Sequence, residues 1–243
     1  MKPTLLCLHG WGGSKKSFDP LRDALEGIDV ELLTPDLPGF GGEPDPPCPW
    51  TTDDYAAWVR EYVDNNRTGT GPLWIVGHSH GGRTAIVIAA KNILPVERLF
   101  LCAPAINRNG RYILRRTFGV ALAKTGKFFL SIPGLSALAP TAKKLLYTLL
   151  RVHDYERANP LMQQTLVLVT KDDLTTLFPQ ITQPVDLFWG DQDGQTPVSD
   201  GHYMEKTLSR VELHVYPGTR HAVHKTNARE IAALIKRRLS ERS

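Results

Sequence analysis

The feature that most constrains the fold is a serine between an apolar run and a helix-forming run. Residues 73–82 read L-W-I-V-G-H-S-H-G-G, which contains the pattern G-x-S-x-G centred on Ser79. The first four residues suit a buried parallel strand, and the residues that follow, as far as Lys91, favour a helix. A strand, a sharp turn and a helix would expose the Ser79 hydroxyl and aim backbone N–H groups at developing negative charge. The segment predicts a nucleophilic serine; the alternative is a glycine-rich turn with an incidental serine.

Strand-like and helix-like segments alternate on both sides of this serine. Strands are predicted at 4–8, 30–33, 73–76, 98–102, 185–189 and 212–216, and helices at 17–25, 51–66, 82–91, 198–208 and 225–239. Such alternation is typical of a mostly parallel α/β sheet.

The stretch between residues 104 and 181 interrupts this alternation. It has helical segments at 112–125, 140–151 and 161–169 and no clear buried strand. We therefore expect an α/β core formed by residues 1–103 and 182–243. Residues 104–181 are expected to form a helical lid over the carboxyl ends of the strands, where ligands bind in such sheets.

A nucleophilic serine needs a base to take its proton and a carboxylate to orient that base. The fifth predicted strand runs into W-G-D-Q-D-G-Q-T-P, which holds Asp191 and Asp193. The sixth runs into Y-P-G-T-R-H-A-V-H, which holds His221 and His224. Loops after parallel strands meet at one edge of the sheet, so either aspartate and either histidine is a candidate partner of the serine.

Five motifs, taken together and in this order, resemble the α/β-hydrolase family, specifically its small lidded esterases. H-G-W-G-G at 9–13 resembles the oxyanion loop, D-L-P-G-F-G at 36–41 the loop after the next strand, and G-H-S-H-G-G the nucleophile elbow. W-G-D-Q-D resembles the acid loop and P-G-T-R-H the histidine loop. The resemblance covers the chain apart from the lid. It implies an α/β-hydrolase fold without the first two strands of the family, which leaves a parallel sheet of about six strands.

The resemblance also implies the role of each site residue. Ser79 would be the nucleophile, Asp193 the acid and His221 the base. The backbone N–H groups of Trp11 and His80 would form the oxyanion hole. His80 stands where the family commonly has Leu or Met, so a titratable side chain would lie beside that hole.

The reaction expected from these residues is hydrolysis of a carboxylic ester through an acyl-enzyme, with a small to medium hydrophobic acyl group. A carbon–carbon bond hydrolase, a lactonase or a thioesterase on the same triad is the alternative, because specificity would lie in the lid. A non-catalytic binding protein that keeps the fold is a third interpretation.

No cofactor or metal is expected from the sequence. No G-x-G-x-x-G or phosphate loop follows a predicted strand, and H-S-H and H-x-x-H lack a third ligand at metal-site spacing. The expected partner is a small-molecule ester, and no motif for nucleic acid recognition is present.

The predicted lid is strongly basic. Between residues 104 and 169 only Asp154 and Glu156 oppose ten basic residues, so this stretch carries about +8 while the whole chain carries +4. The basic residues are Arg108, Arg111, Arg115, Arg116, Lys124, Lys127, Lys143, Lys144, Arg151 and Arg157. One interpretation is a solvated face. The other is a surface that attracts an anionic substrate, an acyl-carrier protein or an anionic membrane.

The cysteines suggest a reducing compartment. Cys7 and Cys102 fall in predicted strands and Cys48 in a loop, so no disulfide framework is implied. The N-terminal apolar stretch is too short for a signal peptide, and no run reaches the length of a transmembrane helix. We therefore expect a cytoplasmic protein.

Overall fold

The computed structural model describes residues 1–107 and 158–241, and within them the chain forms six strands and seven α-helices. Their bounds are β1 Thr4–Leu8, α1 Asp19–Ala24, β2 Glu31–Leu33, α2 Thr52–Asn66, β3 Leu73–His78, α3 His80–Ala90, β4 Val96–Cys102, α4 Pro160–Val169, β5 Val185–Gly190, α5 Val198–Thr207, β6 Val211–Tyr216, α6 Val223–Thr226 and α7 Ala228–Ser240. Two 3₁₀-helices, Lys15–Phe18 and Leu174–Gln180, complete the described secondary structure.

The strands form one parallel sheet in the order β2-β1-β3-β4-β5-β6. The predicted sheet of six parallel strands is therefore confirmed. From β1 the chain passes to β2 on one side of β1, and it then returns to place β3 on the other side of β1. The carboxyl ends of β1 and β3 thus flank a topological switch point, where ligands bind in sheets of this kind.

Two predicted helices differ from those observed. The segment predicted at 17–25 is a 3₁₀-helix followed by the short α1, which has Pro20 in its first turn. The closing helix begins at Ala228, and the separate one-turn helix α6 precedes it. Strand β3 runs two residues further than expected, through His78, and so brings the strand directly to the serine.

One face of the sheet packs against α1 and α7. Inward-facing residues of successive strands meet the apolar sides of these two helices and form one buried cluster. Its strand members are Leu5, Cys7, Trp74, Val76, Phe100, Cys102 and Phe188, and its helix members are Leu21, Ala228, Ile231, Ala232, Leu234 and Ile235. This packing fixes the strands whose carboxyl ends carry the candidate site.

The described residues divide into two compact units, 1–106 with 174–241, and 107 with 158–173. Most of the predicted lid, including all ten basic residues, lies at 108–157 and is outside the described residues. The helix predicted at 161–169 is observed as α4. Within the described ranges, no helix has the length and apolar character needed to cross a membrane.

A buried carboxylate joins β4, β5 and α7 near the amino-terminal ends of these two strands. Asp186 on β5 is fully buried and contacts the Arg98 guanidinium at 2.6 Å and the Arg238 guanidinium at 2.8 Å. Burial alone would raise the pKa of the Asp186 carboxyl. The adjacent His214 imidazole and the two guanidinium groups outweigh burial and lower this pKa to about 2.

We expect Asp186→Asn to lower the free energy of unfolding at pH 7 by about 2–3 kcal/mol, because a carboxylate with a folded-state pKa near 2 and an unfolded-state pKa near 3.9 stabilises the folded chain by that amount. This contribution is complete above about pH 4 and is lost as the pH falls through about 2. Urea unfolding of both proteins between pH 7 and pH 2 measures it. Asp53→Asn, which removes the exposed ion pair with Lys91, is the matched control and should change stability little. A difference in unfolding free energy between the parent and Asp186→Asn that stays constant down to pH 2 would contradict the lowered pKa of Asp186.

Candidate active site

Ser79 lies at a sharp turn between β3 and α3, with a φ of 50° and a ψ of −108°. A residue with a side chain rarely adopts a positive φ, so the surrounding structure must impose it. The Ser79 N–H donates to the carbonyl of Cys102 at 3.0 Å, and the Ser79 carbonyl accepts from the N–H groups of Arg83 and Ala105. These three hydrogen bonds fix the backbone on both sides of a partly exposed serine.

The glycines of the motif permit a very close approach of α3 to the sheet. A Cβ on Gly77 would lie 2.6 Å from the Cα of Gly82, and a Cβ on Gly81 would collide with the carbonyl of Leu8 on β1. Any side chain at these positions would push α3 away from β1 and β3. The close approach of α3 to the sheet therefore explains why the pattern has glycine at both of these positions.

The loop after β1 packs against this turn. A Cβ on Gly10 would lie 3.3 Å from the Cβ of Ser79 and 2.6 Å from Nδ1 of His78, so only glycine fits. The fully buried His9 holds the loop, since its Nδ1–H donates to the Gly10 carbonyl at 2.8 Å and its Nε2 accepts from the N–H of Leu37 at 2.9 Å. This pairing fixes the His9 tautomer.

The two predicted oxyanion donors directly follow Gly10 and Ser79, the residues that approach each other here. Trp11 follows Gly10 in the loop, and His80 is the first residue of α3, where the helix supplies no acceptor for its N–H. Within the described part of the chain neither the Trp11 N–H nor the His80 N–H has a hydrogen-bond acceptor. Both groups are therefore free to bind a developing oxyanion beside Ser79.

The structure brings Asp193 and His221 together. The Nδ1–H of His221 donates to Oδ2 of Asp193 at 2.7 Å. Asp193 is buried, and its Oδ1 accepts the N–H groups of Gln195 at 2.7 Å and Thr196 at 3.0 Å. The Thr196 hydroxyl donates to Oδ2 at 2.9 Å. These four hydrogen bonds fix the orientation of the buried carboxylate.

The two alternative residues lie elsewhere. Asp191 is exposed, and its Oδ1 accepts the N–H of Gly218 at 2.8 Å, which stabilises the turn between β6 and the histidine. His224 is buried, and its ring stacks on that of His78 with 3.8 Å between centroids and lies beside Phe18. His224 therefore packs against the elbow residue His78.

Two polar contacts of the site were not predicted from sequence. Thr196 lies three residues after Asp193 and contacts its carboxylate, and nothing in that spacing indicates the contact. The Nε2–H of His78 donates to the backbone carbonyl of His221 at 3.0 Å and so joins the residue before Ser79 to the histidine loop. The Thr196 contact is made within the acid loop, whereas the His78 contact depends on tertiary structure because its partner belongs to the histidine loop.

The His80 side chain is buried behind the loop that carries Trp11. Its ring packs edge-on against the indole of Trp11, at 5.4 Å between centroids, and against Tyr55, at 4.7 Å. Burial, with a smaller effect of the Arg83 charge, lowers the pKa of His80 to about 3. The imidazole is therefore neutral at physiological pH and adds no charge near the two N–H donors.

Among the described residues, one group offers three possible metal ligands within 4.8 Å of one another, namely Asp186, Glu212 and His214. Arg238 already pairs with both carboxylates of this group. Its guanidinium supplies the positive charge there, so we assign no metal to the group.

Several curated relatives are named as methyl ester esterases of a pimeloyl-acyl-carrier-protein substrate. Pimeloyl-[acyl-carrier protein] methyl ester esterase of Neisseria meningitidis serogroup C is 28% identical over 246 residues, which cover 93% of this chain and 90% of the relative. The enzyme of the same name from Shewanella oneidensis is 27% identical over 80% of this chain and 75% of its own length. The biotin biosynthesis bifunctional protein BioHC of Cellvibrio japonicus is 25% identical over 96% of this chain, which spans only 47% of that protein.

Solved structures and the family comparison agree on the fold. A lipase-esterase related protein from Clostridium acetobutylicum superposes with a TM-score of 0.69 at 22% identity, covering 97% of this chain and 93% of that structure. A thermophilic esterase from Thermogutta terrifontis gives 0.69 at 20% identity, covering 99% and 90%. The family model described as alpha/beta hydrolase fold matches residues 3–228. Because that match spans nearly the whole sequence, the chain belongs to the α/β-hydrolase fold family.

Proposed function

We propose that this α/β hydrolase cleaves carboxylic esters with Ser79 as nucleophile, His221 as general base and acid, and Asp193 as the orienting carboxylate. The observation that carries the proposal is the 2.7 Å hydrogen bond between His221 and the buried Asp193, at the sheet edge where the elbow presents Ser79. Carboxylic ester hydrolysis as the reaction class is further supported by the esterase relatives.

In the first half of the reaction, Nε2 of His221 takes the Ser79 proton as the serine oxygen attacks the ester carbonyl. Asp193 holds His221 through Nδ1 and stabilises the imidazolium that forms. The carbonyl oxygen becomes an oxyanion and accepts hydrogen bonds from the N–H groups of Trp11 and His80. The C–O bond to the alcohol then breaks, and His221 returns its proton to the departing oxygen.

In the second half, water replaces the alcohol. His221 takes a proton from water, the hydroxide attacks the acyl-Ser79 carbonyl, and the same two N–H groups bind the oxyanion. Collapse breaks the bond to the serine oxygen, which recovers its proton from His221. The carboxylic acid leaves, and the enzyme is restored without any external oxidant, reductant or metal.

For the substrate, we propose an ester whose acyl chain is carried by an acyl-carrier protein. The relatives are named for a methyl ester of a pimeloyl chain on such a carrier. In this chain the ten basic residues between positions 104 and 169, against two acidic ones, supply a charge that would attract an acidic carrier. The apolar residues interleaved with them suit a hydrophobic acyl chain.

We expect Ser79→Ala to lower the rate of hydrolysis of a short p-nitrophenyl ester by roughly 10⁴- to 10⁶-fold, because the nucleophile is removed while the oxyanion donors remain. Release of p-nitrophenol measures the rate, and circular dichroism and thermal unfolding check that the variant folds. Equal rates in the parent and in folded Ser79→Ala would reject the proposed nucleophile.

The two neighbouring aspartates provide a matched pair. We expect Asp193→Asn to lower kcat by about 10⁴-fold, because an amide in this place favours the wrong tautomer of His221. Asp191→Asn makes the same chemical change two residues away on an exposed turn and should lower kcat by less than about threefold. Steady-state kinetics on the same ester compare the two variants. A larger loss in Asp191→Asn than in Asp193→Asn would assign the acid to Asp191.

The carrier proposal predicts a salt-dependent preference. We expect the methyl ester of an acyl chain on acyl-carrier protein to have a higher kcat/KM than the same chain on pantetheine, and the difference to shrink as salt rises from about 10 mM to 1 M, because salt screens the attraction. The same assay is run with a lactone, a thioester and a substrate that has a cleavable carbon–carbon bond.

Equal kcat/KM values for the two methyl esters at low salt would show that the carrier is not recognised. Faster turnover of the lactone, the thioester or the carbon–carbon bond substrate would replace ester hydrolysis as the proposed reaction.

A further inference from the structure

The residue before the serine carries a buried polar side chain that the reaction scheme leaves unused. His78 ends β3 with its side chain buried, and its Nε2 lies 3.0 Å from the backbone carbonyl oxygen of His221. A carbonyl can only accept, so Nε2 carries the proton. Burial first, and then the neighbouring imidazoles of His224 and His221, hold the pKa of His78 well below its usual value, so the ring is neutral.

The ring of His78 is confined by two neighbours. It stacks on the ring of His224 at 3.8 Å with 28° between the planes. At the Nδ1 and Cε1 atoms of the ring, the Gly10 backbone comes so close that a Cβ there would lie 2.6 Å from Nδ1 and 3.0 Å from Cε1 of His78. The Nε2–H is therefore held in one direction, toward the carbonyl of His221.

This direction matters because the nucleophile and the base come from distant strands. Ser79 follows β3 and His221 follows β6, with β4 and β5 between them in the sheet, a separation of roughly 14 Å at the usual strand spacing. Three hydrogen bonds join the histidine loop to the acid loop: Gly218 N–H to Asp191, Gln192 N–H to the Thr219 carbonyl, and His221 to Asp193. They position the loop against β5, and none of the three includes a residue of the elbow.

Among the hydrogen bonds of the described residues, the one from His78 is alone in joining residues 77–80 directly to residues 217–224. One covalent link separates Ser79 from His78, and one hydrogen bond separates His78 from the backbone of His221. A small change in this contact would shift the base relative to the serine oxygen while leaving its bond to Asp193 intact.

We propose that His78 is a positioning residue that fixes the separation of His221 from Ser79 by donating its Nε2–H to the carbonyl of His221. The proposal rests on the proposed function, since it gives His78 a role only if Ser79 and His221 act together. His78 does not touch the substrate, so its effect should appear in the chemical step and not in binding.

The test compares the same replacement at two stacked rings. His78→Leu removes the donor. His224→Leu replaces the stacked ring, whose nitrogens have no hydrogen-bond partner within the described residues, with a side chain that still fills the space beside His78 and leaves the donor in place. With a short p-nitrophenyl ester we expect His78→Leu to lower kcat by roughly 10- to 100-fold with KM within about twofold, since a misplacement of about 1 Å has effects of that size. Labelling of Ser79 by a fluorophosphonate should slow by a similar factor. His224→Leu should stay within about threefold of the parent.

Rescue separates positioning from packing. His78→Gln places an amide N–H near the position of Nε2 and should recover most of kcat and of the labelling rate. His78→Phe is a second variant without a donor, should His78→Leu not fold, and thermal unfolding of each variant verifies folding. Full activity in a folded variant without the donor, an equal loss in His224→Leu, or no recovery in a folded His78→Gln would each overturn the inference.

Ser79→Ala in the same assay separates this inference from the proposed function. If Ser79→Ala is as active as the parent, the proposed triad fails and the role of His78 fails with it. If Ser79→Ala is inactive while folded His78→Leu is fully active, the triad stands and only the positioning role is wrong.

Discussion

The close approach of α3 to β1 and β3 is the constraint on which the rest of the site depends. It is possible only because Gly77 and Gly81 leave no side chain between helix and sheet. The cost is a positive φ at Ser79, of the order of 1–3 kcal/mol for a residue with a side chain. Hydrogen bonds from the ends of neighbouring strands and from α3 hold this backbone in place. The turn exposes the serine, and within the described residues the first N–H of α3 has no hydrogen-bond acceptor.

The parallel sheet then supplies the remaining parts at the same edge. Strand β1 ends in the loop with Trp11, β5 in the loop with Asp193, and β6 in the loop with His221. Because all strands run in one direction, all three loops leave the sheet on the side of Ser79. Local hydrogen bonds set each loop separately. Contacts between loops, such as that of His78 with the His221 carbonyl and that of Thr196 with the Ala103 carbonyl, set their mutual positions.

The sequence predicted what depends on local pattern. The six strands, the elbow at Ser79 and the acid and histidine loops follow from apolar runs and turn residues read along the chain. The observed bounds of a helix differ from the predicted ones where a local feature outweighs the apolar periodicity, as with Pro20 in the first turn of α1. Contacts between segments distant in sequence were not predictable: the stack of His224 on His78 joins β3 to α6, and no motif links those positions. The pattern left both Asp191 and Asp193 open, and hydrogen-bond geometry distinguishes them.

Histidine is abundant around this edge of the sheet, and burial decides which imidazole can move protons. The rings of His78, His80 and His224 lie away from water, and burial lowers the pKa of each, to about 3 for the last two. All three rings are therefore neutral at physiological pH. His221 differs from them because it is held against a carboxylate, at 2.7 Å from Asp193, which would compensate a positive charge on its ring. Of these four imidazoles, His221 is the one with the carboxylate partner that the proposed proton carrier requires.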